Sequence, residues 1–198
     1  MLVFTKSRLV FLAMPKTGST AYHTALGPHA DLVITDPPEL KHAPIYRYDR
    51  FFRPIYDKVC GVELETLAVM REPVSWLGSW YRYRQRPFLN GKPNSTAGIS
   101  FDDFVSAYMK GDRPAFANIG SQAKFLEPRP KGKPVTHLFR YEAPDSLNTF
   151  LQERLGLTLQ TQPENVSPKG DLTLSGATLA RFQRKFSHEF ELYESIVP

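Results

Sequence analysis

The sequence predicts an α/β domain in three layers, with a central parallel β-sheet flanked by helices on both sides. Three observations carry that expectation. Short apolar runs suited to doubly buried strands recur along the chain, helical patterns separate them, and 198 residues suffice for one domain with a proper core. No internal repeat of solenoid type is visible, and the 17 prolines are scattered among expected loops.

Taken in order, residues 8–14 (Arg-Leu-Val-Phe-Leu-Ala-Met) read as the first strand, followed by a loop and a helix over 19–26 that Gly27-Pro28 ends. Leu32-Val33-Ile34 is the second strand, broken by Pro37 and Pro38, and a helix is expected over 44–56. Residues 64–70 supply the next strand. Pro73 then opens a helix at the position where a missing N–H costs nothing. Residues 87–98, rich in Pro, Gly, Asn and Ser, form a surface loop. Ser100 starts a capping box, with Phe101, Phe104, Val105 and Tyr108 on one helical face. Residues 135–139 are a late strand, and Leu147, Phe150, Leu151 and Leu155 mark a helix ended by Gly156. Leu179, Phe182, Phe186, Phe190 and Tyr193 step by three or four, which predicts one final amphipathic helix whose aromatic stripe packs in the core.

Composition narrows the function. Hydrophobic residues at 41% and charged residues at 23% exclude a disordered chain. The net charge of +5 favours an anionic ligand, although solubility alone accounts for an excess of that size. No recognised nucleic-acid motif accompanies it. Cys60 is the only cysteine, which precludes an internal disulfide and a cysteine-based zinc site and suits a reducing compartment. The apolar start lacks a small-residue cleavage site and runs directly into a polar motif, so it reads as a strand rather than a signal peptide. No stretch approaches the roughly 20 apolar residues of a membrane-spanning helix. A cytoplasmic protein with no membrane span and no metal is expected.

The strongest functional signal is Pro15-Lys16-Thr17-Gly18-Ser19-Thr20, placed between a buried strand and a helix. A tight loop opening a helix gathers free backbone N–H groups and the positive end of the helix dipole around one point. Gly18 permits close approach of an anion, Lys16 adds a mobile charge, and the hydroxyls of Thr17, Ser19 and Thr20 add donors. The ATP-binding P-loop, Gly followed four residues later by Gly-Lys and Ser or Thr, is absent, because here Lys16 precedes Gly18. A second signal is Leu67-Ala68-Val69-Met70-Arg71-Glu72-Pro73, with Ser75, Ser79 and Arg82 following on one helical face. A guanidinium at a strand end, with hydroxyls nearby, can clamp a phosphate.

Together the two motifs resemble the cofactor loops of the sulfotransferase family, those that use 3′-phosphoadenosine 5′-phosphosulfate, in particular its small bacterial or carbohydrate-type members. The resemblance implies a P-loop-like sulfotransferase fold. It assigns Pro15, Lys16, Thr17, Gly18, Ser19 and Thr20 to the 5′-phosphosulfate, with Lys16 beside the departing bridging oxygen, and Arg71 and Ser79 to the 3′-phosphate. Trp76 and Trp80 read as packing residues rather than adenine stackers. Lys169-Gly170 is similar to the late loop that closes over the cofactor in many members, and a solvent-exposed turn accounts for it equally well. The pair Tyr141-Glu142, after Phe139-Arg140, is also shared with the family and reads as structural.

Lys41-His42-Ala43-Pro44 resembles the Lys-Thr-His-Leu-Pro segment of cytosolic members but lacks the residue between Lys and His. It implies His42 as general base and Lys41 as a contact to the sulfuryl group, with Glu39 and Asp36 as alternative bases. The expected reaction is in-line transfer of a sulfuryl group to a hydroxyl or amine of a carbohydrate or small metabolite, releasing adenosine 3′,5′-bisphosphate and requiring no metal. Two other classes stay open: a nucleotide-dependent kinase on a related fold, and a nucleotide-binding module without turnover. Arg47, Arg50 and Arg53, which solvated helix surface explains equally well, or Arg82, Arg84 and Arg86, are candidate borders of an acceptor cleft; oligomeric state is not written in the sequence.

Overall fold

A computed structural model describes residues 1–159 and 171–197. Five strands form one sheet in the order β3-β1-β2-β4-β5, where β1 is Leu2–Phe4, β2 Leu9–Leu12, β3 Leu32–Val33, β4 Glu65–Met70 and β5 His137–Arg140. β2, β4 and β5 are mutually parallel, as expected of doubly buried apolar runs. The sheet as a whole is mixed, which corrects the all-parallel expectation, because β1 runs antiparallel to both β2 and β3. The cause lies in the first eleven residues. Two apolar runs, Met-Leu-Val-Phe and Leu-Val-Phe, flank the polar tetrad Thr5-Lys6-Ser7-Arg8, which turns the chain back with Arg8 N–H bonded to the Thr5 carbonyl at 3.1 Å.

Both faces of the sheet are covered. Val10, Leu12, Ala68 and Met70 pack with Ile45, Tyr48, Tyr56, Phe125 and Leu126 on one side. Their alternates Leu9, Phe11, Leu67 and Val69 pack with Tyr22 and Leu26 of α1 (Ser19–Leu26) and with Leu147 and Leu151 of α7 (Pro144–Leu155) on the other. Two-residue alternation on β2 and β4 therefore fills two cores at once.

Between β3 and β4 come α2 (Pro38–Lys41), α3 (Ile45–Arg47) and two π-helical segments, Tyr48–Phe52 and Ile55–Cys60, where an ordinary helix was expected. Pro54 has no N–H to continue a ladder and sits at the junction of those two segments. Between β4 and β5 come α4 (Pro73–Arg84), α5 (Phe101–Tyr108) and α6 (Gln122–Leu126). The expected single final helix is two, α8 (Gly176–Lys185) and α9 (Ser187–Glu194), divided at Phe186 with φ −120° and ψ 33°. The break lets Glu189 reach α6, where its carboxylate accepts from Ser121 Oγ at 2.5 Å and Ala123 N at 3.3 Å, while Phe182, Phe186 and Phe190 still pack together. α4, α5, α8 and α9 enclose a third apolar cluster beside the sheet.

The strand order places the site. From β2 the chain leaves through α1 toward β3; from β4 it leaves through α4 toward β5, at the opposite edge. Neighbouring parallel strands whose connections depart in opposite directions leave a crevice at their carboxyl ends, the usual location of a ligand in such sheets. Here Leu12 pairs with Ala68, so the residues leaving β2 and those leaving β4 meet there.

Candidate functional site

The loop after β2 is held in a strained, donor-rich form. Lys16 and Gly18 both adopt left-handed backbone, at φ 68° and 72°, which glycine takes freely and lysine only under constraint. The constraint is visible: Thr17 is buried and its hydroxyl donates to the Met14 carbonyl at 2.9 Å, while the Trp76 indole of α4 donates to the Pro15 carbonyl at 2.9 Å. Gly18 caps α1, and a methyl group there would lie 3.2 Å from the Tyr141 ring, a tight approach. Ser19 and Thr20 open α1, with Ser19 buried. The six motif residues thus form one turn and the first two positions of the helix it opens.

Arg71 follows the last residue of β4. Gln122 of α6 grips its backbone from both sides, accepting from Arg71 N–H at 2.9 Å and donating to the Arg71 carbonyl at 2.8 Å. The guanidinium donates to Ser75 Oγ at 2.8 Å and to the Lys16 carbonyl at 3.4 Å, and it stacks on the Tyr141 ring at 4.3 Å. The two motifs, distant in sequence, are therefore in direct contact. The hydroxyl hydrogen-bonded to Arg71 is that of Ser75; Ser79 lies one turn further along α4 and is buried.

Cations gather here. The Lys16 ammonium rests over the rings of Tyr83, at 4.3 Å, and Trp80, at 5.6 Å. Burial, and then the guanidinium groups of Arg86, Arg71 and Arg82, pull its pKa down to about 8. The nearby carboxylates are occupied: Glu72 accepts from Val74 and Ser75 N–H at the start of α4, and Glu142 accepts from Glu72 N–H and the Tyr193 hydroxyl. Neither Lys16 nor Arg71 forms an ion pair among the described residues. The Arg82 Nε and Trp80 Nε1 donors are buried without a hydrogen-bond partner there. Such an arrangement favours a multiply charged anion.

His42 closes α2 beside this loop. Its Nδ1 lies 2.6 Å from the Ala13 carbonyl, three residues ahead of Lys16. A carbonyl only accepts, so Nδ1 carries the proton and the neutral ring keeps its lone pair on Nε2. Burial, opposed by that hydrogen bond and reinforced by Lys41, the terminal amine and Lys16, holds its pKa below the ordinary histidine value. The side chain is therefore neutral near pH 7 and able to accept a proton. Lys41 is the last residue of α2; its carbonyl accepts from the Met1 amine at 2.9 Å and its charge is felt by His42.

Lys169 and Gly170 lie outside the described residues. Leu172, shortly after them, packs so closely on Gly78 of α4 that a methyl group there would fall 2.9 Å from its side chain. Arg84 does not border a cleft: it is buried and donates to the carbonyls of Ala115 and Asn118 at 2.6 and 3.1 Å. Arg47 donates to the Glu39 carbonyl and Arg53 pairs with Asp49, so those two also have structural duties. Tyr83 and Tyr141 line Lys16 and Arg71, and the sequence does not reveal it: an aromatic in a basic helix or at a strand end carries no signal of whether its face will be offered to a cation. No known protein-family model matches the chain and no curated protein matches it, so the reading of this site stands on its residues and geometry.

Proposed function

We propose that the chain is a sulfotransferase that takes the sulfuryl group of 3′-phosphoadenosine 5′-phosphosulfate and passes it to a hydroxyl or amine, with a carbohydrate or small metabolite as acceptor. The observation that carries the reading is the contact of Arg71 with the Lys16 loop at the carboxyl ends of β2 and β4, with Arg82 of α4 near enough to depress the Lys16 pKa and the neighbouring carboxylates already spent on backbone N–H groups and a tyrosine. A donor nucleotide with charge at both its 5′ and 3′ ends suits that set. The strained loop and α1 offer N–H groups and Lys16 to one anionic end, and the Arg71 guanidinium to the other. The buried Nε of Arg82, without a hydrogen-bond partner among the described residues, is a further donor that an anion would satisfy.

In this reading the chain's own residues do three things. The loop amides and Lys16 hold the group in flight and stabilise charge on the departing phosphate oxygen, as preorganised donors do in phosphoryl transfer. The tie between Arg71 and the Lys16 carbonyl fixes the spacing of the two anion sites. His42, locked by Ala13, takes the acceptor's proton on Nε2 as the new bond to sulfur forms.

The test is calorimetric binding of adenosine 3′,5′-bisphosphate and of ATP with Mg²⁺, followed by transfer from labelled sulfate donor to a panel of acceptors. Selective binding of the bisphosphate with labelled product supports the proposal. Selective binding and turnover of ATP replaces it with a kinase, and bisphosphate binding without product on any acceptor reduces it to a binding module.

A further inference from the structure

A second feature lies in the segment that joins His42 to β4. Phe51, Ile55 and Val59 follow one another at intervals of four through the π-helical segments and are 56%, 49% and 80% exposed. Tyr46, just ahead of them, is also exposed. Other large apolar side chains are exposed singly, Phe88 and Val33 among them, whereas these follow one another along one segment, and contiguous apolar patches mark interaction surfaces. Its rim is cationic. Arg50 is exposed and stacks on Phe51 at 5.2 Å, Arg47 stacks on Tyr46 at 5.9 Å, and Lys58 is exposed between Ile55 and Val59 in sequence. Of the two acidic residues in the segment, Asp49 is turned inward to Arg53 at 2.7 Å, which leaves Asp57 as the exposed one.

We propose that this face docks on an anionic lipid surface. The inference stands apart from the transfer reaction and does not depend on it. An apolar ridge with Arg and Lys along its edges is what a helix lying in a membrane interface presents: the ridge enters the headgroup boundary while the cations meet lipid phosphates. Spanning is not involved, since among the described residues no helix is long and apolar enough to cross a membrane. A second copy of the chain fits less well, because a two-fold interface would set Arg47, Arg50 and Lys58 against their own kind. A nucleic acid would use the cations and leave Phe51, Ile55 and Val59 in water.

Co-sedimentation of the full chain with vesicles decides it. The chain should pellet with phosphatidylcholine vesicles that contain phosphatidylserine, weakly with phosphatidylcholine alone, and less as salt is raised. The variant Phe51→Ser/Ile55→Ser/Val59→Ser should lower the partition by roughly tenfold. Arg50→Gln and Lys58→Gln should each lower it by roughly fivefold. Circular dichroism of each variant should match the parent, since every altered side chain is solvated. Equal partition onto neutral and anionic vesicles, or full partition by the triple variant, overturns the proposal. So does a concentration-dependent dimer that the triple variant abolishes, which would assign the ridge to self-association.

Discussion

Arg71 and Arg84 are both guanidinium groups drawn into the protein, and they differ in what receives their hydrogen bonds. Arg84, on α4, spends its fork on two carbonyls of the 115–118 turn and braces the helical annex. Arg71, at the end of β4, gives one good bond to Ser75, a long one to the Lys16 carbonyl, and a flat face to Tyr141. One arginine gives its fork to two backbone carbonyls; the other gives one bond to a hydroxyl and a long one to a carbonyl, and on the proposed reading an anion completes it. A buried arginine is thus informative by its acceptors rather than its depth.

The sharpest way to break the contrast is at the centre of the cation group. Lys16→Ala should lower the transfer rate by roughly 10²–10³-fold while leaving the unfolding temperature near that of the parent, because it removes a donor to the moving charge and little packing. Next, Arg71→Met should weaken binding of adenosine 3′,5′-bisphosphate on the order of a hundredfold, read by titration calorimetry. Its counterpart Arg84→Met should do the reverse, costing about 2–3 kcal/mol in denaturant unfolding with nucleotide affinity of the folded fraction retained. If Arg84→Met damaged binding and Arg71→Met damaged stability, the two roles would have to be exchanged.

Proton linkage sharpens the same point. Lys16 is held at about 8, so on the alkaline side of that value the chain alone has largely lost the charge that an anion restores. Affinity for the bisphosphate should fall as pH rises through about 8, and binding there should take up a proton, seen as a dependence of binding heat on buffer ionisation. His42 acts in the opposite direction. Its pKa is depressed, so the rate at saturating donor should rise with pH only below the ordinary histidine range and level off between there and the range in which Lys16 loses its proton, and His42→Gln should remove that acid limb. The smallest effect is Gly18→Ala, about 1–2 kcal/mol of stability from left-handed backbone and crowding against Tyr141.

Much of the frame was legible because it rests on local patterns. The runs at 9–12 and 67–70 are apolar on both faces and became parallel strands with two cores. Pro73 and Ser100 marked real helix starts, and the capping oxygen of Ser100 accepts from Asp103 N–H at 3.0 Å. The antiparallel β1 was hidden because two apolar runs and a polar tetrad also read as one strand with a ragged start. The split at Phe186 was invisible since a stripe of three and four continues across it; what accompanies the break is a contact of the Glu189 carboxylate with α6, residues far upstream that the local pattern does not reveal. For the site, the loop and Arg71 declared themselves by residue type and order. That Ser75 meets Arg71, and that Tyr83 and Tyr141 face the two cations, depends on helix phase and ring orientation that spacing does not determine.

The grip of Gln122 on Arg71 sets which parts of the chain can drift over evolutionary time. Its amide supplies the donor and acceptor that a neighbouring strand would otherwise offer, so β4 is in effect lengthened by one residue through a side chain anchored 51 positions downstream. The stretch between them is free to gain or lose residues only where α6 is not displaced. Insertions at the exposed tip around Gly91 should be accepted, whereas a single added residue between Pro114 and Gln122 would slide the amide off its target and leave the arginine without a fixed origin.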